Sequence, residues 1–202
     1  WKPGLYFLEI TLPNPITSSD MRHIVLDVRS PKDTLDVRVS PSKPLMPGTH
    51  PERMTQLADG TLIHTTRLST DGGHTWQVRD SGTIGAGSVQ LRNGRVFGMD
   101  YRKLPIEGRE GWYSGVGYES TDQGRTVKAP LEIQFHVPQA KAAQGHAHHP
   151  GPLFMRSIVE RPDGSLIALM AGWFKGDDTP CPYSPKRPYS RTYTCESKDA
   201  GK

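Results

Sequence analysis

Ser69-Thr70-Asp71-Gly72-Gly73-His74-Thr75-Trp76 has the form Ser-x-Asp-x-Gly-x-Thr-Trp, and the chain returns to this pattern twice. Ser120-Thr121-Asp122-Gln123-Gly124-Arg125-Thr126-Val127 keeps the Ser, Asp, Gly and Thr and replaces the Trp by Val. Ser197-Lys198-Asp199-Ala200-Gly201-Lys202 opens a third copy. The residue types account for the spacing. An Asp carboxylate accepts backbone N–H bonds from nearby residues and closes a turn on itself. Gly takes a backbone angle that other residues resist. Trp supplies a large apolar ring to pack between sheets. Ser69, Asp71, Gly73, Thr75 and Trp76 are therefore read as structural. So are Ser120, Asp122, Gly124 and Thr126, and Ser197, Asp199 and Gly201.

Each copy follows a second marker. Gln56-Leu57-Ala58-Asp59-Gly60-Thr61-Leu62-Ile63, Gln90-Leu91-Arg92-Asn93-Gly94-Arg95-Val96-Phe97 and Glu160-Arg161-Pro162-Asp163-Gly164-Ser165-Leu166-Ile167 place Asp-Gly or Asn-Gly between apolar runs. These dipeptides signal a tight β-hairpin, with both central residues expected at positive φ, and the flanking Leu, Ile and Val suit strands. Composition agrees with an all-β chain. The 202 residues include 21 Gly and 18 Pro, which turns consume, and only 34% are hydrophobic. No stretch is apolar enough to span a bilayer as a helix. The formal charge of +4 is not gathered into a basic run interleaved with aromatics, so nucleic-acid binding has no support.

The repeating units occupy residues 51–202. Within residues 1–50, three segments read as strands: Leu5–Ile10, His23–Val28 and Thr34–Val39. They fit a β-rich N-terminal segment or the last strands of a preceding unit. The one helical turn expected anywhere is at Gln139–Gln144. Trp1 and its neighbours lack the basic-then-apolar pattern of a signal peptide. Cys181 and Cys195 share one Pro-rich stretch. Either a disulfide pinning that stretch or two free thiols is compatible with the sequence.

The Ser-x-Asp-x-Gly-x-Thr-Trp motif resembles the Asp box, or BNR repeat, of sialidases and related proteins of the neuraminidase superfamily. The resemblance implies a β-propeller built from blades of four antiparallel strands, with the box as the turn between the third and fourth. About three blades are visible, an incomplete ring, so the protein is expected to continue past Lys202. The resemblance also implies that the boxes lie away from the active site. Loops entering the first strand and leaving the second should share the functional face, opposite the hairpin markers.

On that basis the third unit is the informative one. Its entry loop carries His146, His148 and His149, and histidine is the natural proton carrier near neutral pH. His146 and His148, two apart, would also suit a metal if extended, but no metal and no cofactor is expected. Arg156, on the first strand, resembles the arginine with which sialidases hold a substrate carboxylate, with Ser157-Ile158 in place of the family's Ile-Pro. Guanidinium pairs bidentately with carboxylate. Arg53 occupies the matching place in the first unit. The loop after the second strand offers Asp177 or Asp178 as the acid–base residue that the resemblance implies, and Trp173 as a sugar-stacking ring. Tyr189, Arg191 and Tyr193 alternate along the expected third strand and would share a face.

Three functions fit. The resemblance implies a secreted or periplasmic glycosidase that hydrolyses a terminal acidic sugar. The alternative is a polysaccharide lyase on the same scaffold, using His, Tyr and Arg on a uronic-acid glycan. The third is a non-catalytic Asp-box protein that binds glycans. In each, the partner is a glycan.

Overall fold

The computed structural model describes Gly4–Ile10, Arg22–Val28 and residues 54–143, 148–181 and 184–199. The expected strand at Thr34–Val39, the candidates Arg53 and His146, and Gly201 of the third box lie outside the described residues. The chain divides into two units, Trp1–Pro47 and Gly48–Lys202. In the first, β1 (Gly4–Ile10) pairs antiparallel with β2 (Arg22–Val28), Gly4 opposite Val28 and Ile10 opposite Arg22.

The second unit is all-β, and its described residues contain no helix, hence none long and apolar enough to cross a membrane. Three antiparallel sheets follow one another along the chain, and none closes into a barrel. The first runs β3 (Thr55–Gln56), β4 (Leu62–His64), β5 (Arg67–Ser69) and β6 (Gln77–Val78) in simple meander order. The second runs β7 (Gly87–Gln90), β8 (Val96–Met99), β10 (Trp112–Ser120) and β11 (Leu131–His136), with the short β9 (Leu104–Pro105) also on β10. The third sets β14 (Leu166–Phe174) between β13 (Leu153–Glu160) and β17 (Arg191–Ser197), with β12 (Ala140–Lys141) on the far end of β14. The loop after β14 folds into its own pair, β15 (Pro180–Cys181) and β16 (Ser184–Pro188). Residues Ala140–Lys141 are thus a strand where a helical turn was expected, because their backbone pairs with Phe174 and Trp173.

Both sequence markers sit at equivalent places in every sheet. The Asp-Gly and Asn-Gly turns join first strand to second, and their hydrogen bonds repeat. Gly60 N donates to Leu57 O at 3.0 Å, Gly94 N to Leu91 O at 2.8 Å and Gly164 N to Arg161 O at 3.0 Å. Asp59, Asn93 and Asp163 each accept from the amide two residues on, all at 3.0 Å. Only the Gly of each turn has positive φ, between 83° and 86°. The turn is therefore the longer hairpin loop, a type I turn followed by a left-handed Gly. It is not the two-residue turn expected, because the Asp or Asn side chain caps the loop without leaving the ordinary backbone region.

The first two boxes join third strand to fourth, and the third begins at the end of its sheet's third strand, β17. In the first, Asp71 Oδ1 accepts from Ser69 Oγ at 2.7 Å and from Thr75 N at 2.9 Å, and Asp71 Oδ2 accepts from Thr75 Oγ1 at 2.5 Å. Asp122 makes the same three bonds to Ser120 and Thr126 at 2.7, 2.9 and 2.6 Å. Ser197 Oγ donates to Asp199 Oδ1 at 2.5 Å, the first bond of the third box. Trp76 folds back on its own box, its Nε1 donating to Gly73 O at 3.0 Å, and meets His64 edge-on. It is Val127, in the second box, that packs between sheets, against Leu57, Ile63, Ile84 and Val96.

Packing between the second and third sheets forms the main core. Alternate β14 residues Leu166, Ala168 and Met170 meet Phe97 and Met99 of β8, Ile133 of β11, and Phe154 and Ile158 of β13. The first strands of the three sheets are neighbours. Thr55 Oγ1 donates to Ser88 O at 2.9 Å, and Gly87 lies against the backbone of Arg156.

The second box links its own chemistry to stability. Burial alone would push the Asp122 carboxyl up, but the Thr126 hydroxyl and amide and the Ser120 hydroxyl outweigh it and hold it at about 2, below its ordinary 3.8. A depressed folded value means stability that is present above 3.8 and is lost as pH falls toward about 2. Asp122→Asn should cost about 1 kcal/mol at neutral pH and flatten the fall in melting temperature across that acid window. A variant that melts in parallel with the parent at every pH would refute this account of the box.

Candidate functional site

The segment after β8 meets residues before β13 and at the end of β14, at the end of the second and third sheets opposite their Asn-Gly and Asp-Gly turns. At that end four side chains form a contiguous series. The Arg156 guanidinium lies over the Tyr101 ring at 4.8 Å. Tyr101 meets His149 edge-on, with ring centroids 6.1 Å apart. His149 stacks on Trp173 at 5.8 Å and an interplanar angle of 17°. Trp173 Nε1 donates to Pro188 O at 3.0 Å, which fixes the ring beneath the imidazole.

Each member is placed by a local feature. Arg156 sits in a β-bulge between Phe154 and Ile158, with φ of 60°. Such an angle costs a non-Gly residue on the order of 1–3 kcal/mol and is found disproportionately at functional sites. Gly87 makes the bulge possible, since a Cβ there would stand 2.7 Å from Arg156 O. His149 is half-buried, and its carbonyl accepts from Ala143 N at 2.9 Å, which closes the entry loop. Its neighbour His148 is exposed.

Tyr101 was not among the residues that the sequence singled out. The signal was there: it follows β8, the second strand of its sheet, which the same topological rule assigns to this end. Its segment is stitched to the third sheet. Phe154 N donates to Tyr101 O at 2.8 Å, Arg102 bridges to Leu153, and Lys103 N donates to Pro152 O at 3.1 Å. The Lys103 side chain is fully buried. Its Nζ donates to Asp100 O at 2.6 Å and Asp100 Oδ1 at 3.0 Å, and lies over the rings of Phe135 and Phe154. Burial pushes the Lys103 ammonium down, and Asp100 partly restores it.

The other candidates fall elsewhere. Asp177 Oδ2 accepts from Arg191 Nε at 2.6 Å and Asp177 Oδ1 from Thr179 N at 3.2 Å. The Arg191 bond foremost, with Thr179, holds the Asp177 carboxyl well below the usual carboxylate range, so this Asp carries a charge and no proton to give. Asp178 is exposed and pairs with Lys141 Nζ at 3.0 Å. Tyr189 precedes β17 instead of sharing it and lies under the Arg191 guanidinium at 5.1 Å. Arg191 and Tyr193 do alternate on one face of β17, but Tyr193 is packed into the core against Phe174. Its hydroxyl is buried without a described partner, and burial raises it well above the usual phenol range. Cys181 and Cys195 are unbonded. Among the described residues, no group of three or more His, Cys, Asp or Glu is arranged to hold a metal ion. No family model matches this chain, and no curated protein matches it.

The series Arg156–Tyr101–His149–Trp173 unites a fixed cation, a phenol and an imidazole, a set that can hold a carboxylate and move protons beside it.

Two substitutions test this division of labour. Lys103→Met removes the ammonium from the one-third-exposed Asp100 carboxylate and should cost about 1 kcal/mol in a denaturant titration. Tyr193→Phe removes a buried hydroxyl with no described partner, so it should leave the melting temperature unchanged or higher. A clear loss for Tyr193→Phe would mean that this hydroxyl has a task.

Proposed function

We propose that the three successive meanders are blades of a β-propeller and that the chain acts on an acidic glycan, cleaving a uronic-acid polysaccharide by β-elimination. The propeller reading is supported by first strands lying side by side and, in the first two sheets, by a box between third and fourth strands. The elimination reading is carried by one observation: the Arg156 guanidinium and the His149 ring each contact Tyr101 at the loop end of the sheets.

In this reading Arg156 pairs with the uronate carboxylate and lowers the cost of removing the proton at C5. His149 takes that proton. The released electron pair forms the C4–C5 double bond, the C4–O bond breaks, and the Tyr101 hydroxyl protonates the departing oxygen. The imidazolium of His149 then returns a proton to the phenolate beside it. Trp173 is a positioning residue, since one of its faces serves His149.

Hydrolysis of a terminal acidic sugar, as the Asp-box resemblance implies, has one observation in its favour. Asp178 is exposed, on the loop after β14, where an acid would be required. Asp177 suits that role poorly, because its pairing with Arg191 keeps it ionised.

The test is incubation with uronic-acid polysaccharides and with sialosides, following ultraviolet absorbance of the unsaturated uronate and release of free acidic sugar. Elimination predicts rising absorbance, reduced roughly 10²–10⁴-fold by His149→Ala or Tyr101→Phe, with Asp178→Asn close to the parent. Free acidic sugar without absorbance, abolished by Asp178→Asn, would replace elimination with hydrolysis.

A further inference from the structure

We propose that the groove beside the His149 loop is an extended binding site for a run of acidic sugars, so that the protein grips its substrate as a polymer. This rests on the acidic-glycan reading above and adds to it where the rest of the chain of sugars lies. The groove is open and shallow, about 630 Å³, between the β9–β10 hairpin of the second sheet and β12 with the end of β14 of the third. That volume falls within the range of about 300–1,000 Å³ common to ligand sites.

The groove lies next to the site. Pro150 lines it and directly follows His149, while Lys141 lines it and stands opposite Trp173 in the β12–β14 pairing. Its charged lining is Arg109, Lys141 and Lys175 against Glu110. Arg109 stacks on Trp112 at 3.9 Å, Trp112 stacks on His136 at 4.7 Å, and Arg109 Nη1 donates to Gln134 Oε1 at 2.8 Å. Among the described residues Arg109 is thus held by neutral groups, its charge fixed in place and not cancelled. The two lysines have replaceable partners. Lys175 Nζ reaches Glu110 Oε1 at 2.6 Å and Lys141 Nζ reaches Asp178 Oδ1 at 3.0 Å, with Glu110 and Asp178 each about four-fifths exposed or more. Such pairs contribute little to folding. A carboxylated sugar can exchange for the protein's own carboxylate at each lysine while leaving the sheets undisturbed. Glu110 is then a competitor of the ligand, and its removal should strengthen binding.

The test is calorimetric titration of the intact His149→Ala protein, whose elimination should be slowed roughly 10²–10⁴-fold, with size-defined oligouronates from disaccharide upward. Affinity should rise with length. Lys141→Ala and Lys175→Ala should each weaken the longer oligomers roughly threefold and leave the shortest unchanged. Glu110→Gln should tighten the longer ones by a similar factor, an effect opposite in sign to any loss of folding. Affinity independent of length, or variants that shift every length equally, would overturn the groove while leaving elimination by the parent protein standing. Length-dependent binding with the expected variant pattern, from a parent that eliminates nothing, would keep the groove and remove the catalytic reading. No binding at any length would overturn both.

Discussion

A lysine ammonium with no solvent exposure must find oxygen nearby, and Lys103 finds it on Asp100. Asp100 is itself held, its Oδ1 accepting from Val116 N at 3.1 Å and its own N–H donating to Val116 O at 3.0 Å. The result is a segment, Asp100 to Lys103, that is fixed to β10 on one side. On the other side its backbone pairs with Leu153 and Phe154 at the start of β13. An ion pair with a buried lysine is poor evidence of net stability, since desolvation of the ammonium offsets much of the attraction. Its value here is positional. It fixes the backbone of the segment from which Tyr101 reaches the Arg156 guanidinium and the His149 ring.

That anchoring works because the sheets arrive already formed. Each meander closes its turns with side-chain carbonyl or carboxylate oxygens from within the turn, so no distant partner is needed to satisfy the amides. Local closure frees the strand faces for packing between sheets, and the main core lies there. The second box then adds a tie to the first sheet. Buried Arg79 donates to Gly124 O at 3.0 Å, and Ser81 Oγ accepts from Val127 N at 2.9 Å.

The all-β class, the hairpin positions and the box positions were legible because each depends on residues adjacent in sequence. Asp-Gly and Ser-x-Asp-x-Gly-x-Thr report their own turns. The turn type was misread, because Asp-Gly alone does not say whether the Asp side chain caps the loop. The site was legible in part. Arg156, His149 and Trp173 belong to one unit and were named, but Tyr101 comes from the preceding sheet through inter-sheet pairing that no local pattern announces. Lys103 was invisible for the same reason. A lone Lys in a loop reads as solvated, and its burial follows only from Phe135 and Phe154 closing over it.

The same distinction between local and long-range order bears on which chemistry the site can perform. A hydrolase needs a carboxyl group that keeps a proton to deliver, and such a group needs an environment that disfavours its charge. The loop after β14 does the reverse for Asp177, giving it a guanidinium and a backbone amide. Elimination makes a different demand. It needs a fixed positive charge at the carboxylate, a base at the adjacent carbon and a donor at the leaving oxygen, all in one place. In the proposed elimination Arg156 would meet the first demand, from a bulge with positive φ for which the missing Cβ of Gly87 leaves room. In that reaction His149 and Tyr101 would meet the others, placed by ring contacts with each other and with Trp173. The backbone strain at Arg156 is then understandable as the cost of aiming a cation at a point where a regular strand would not carry it.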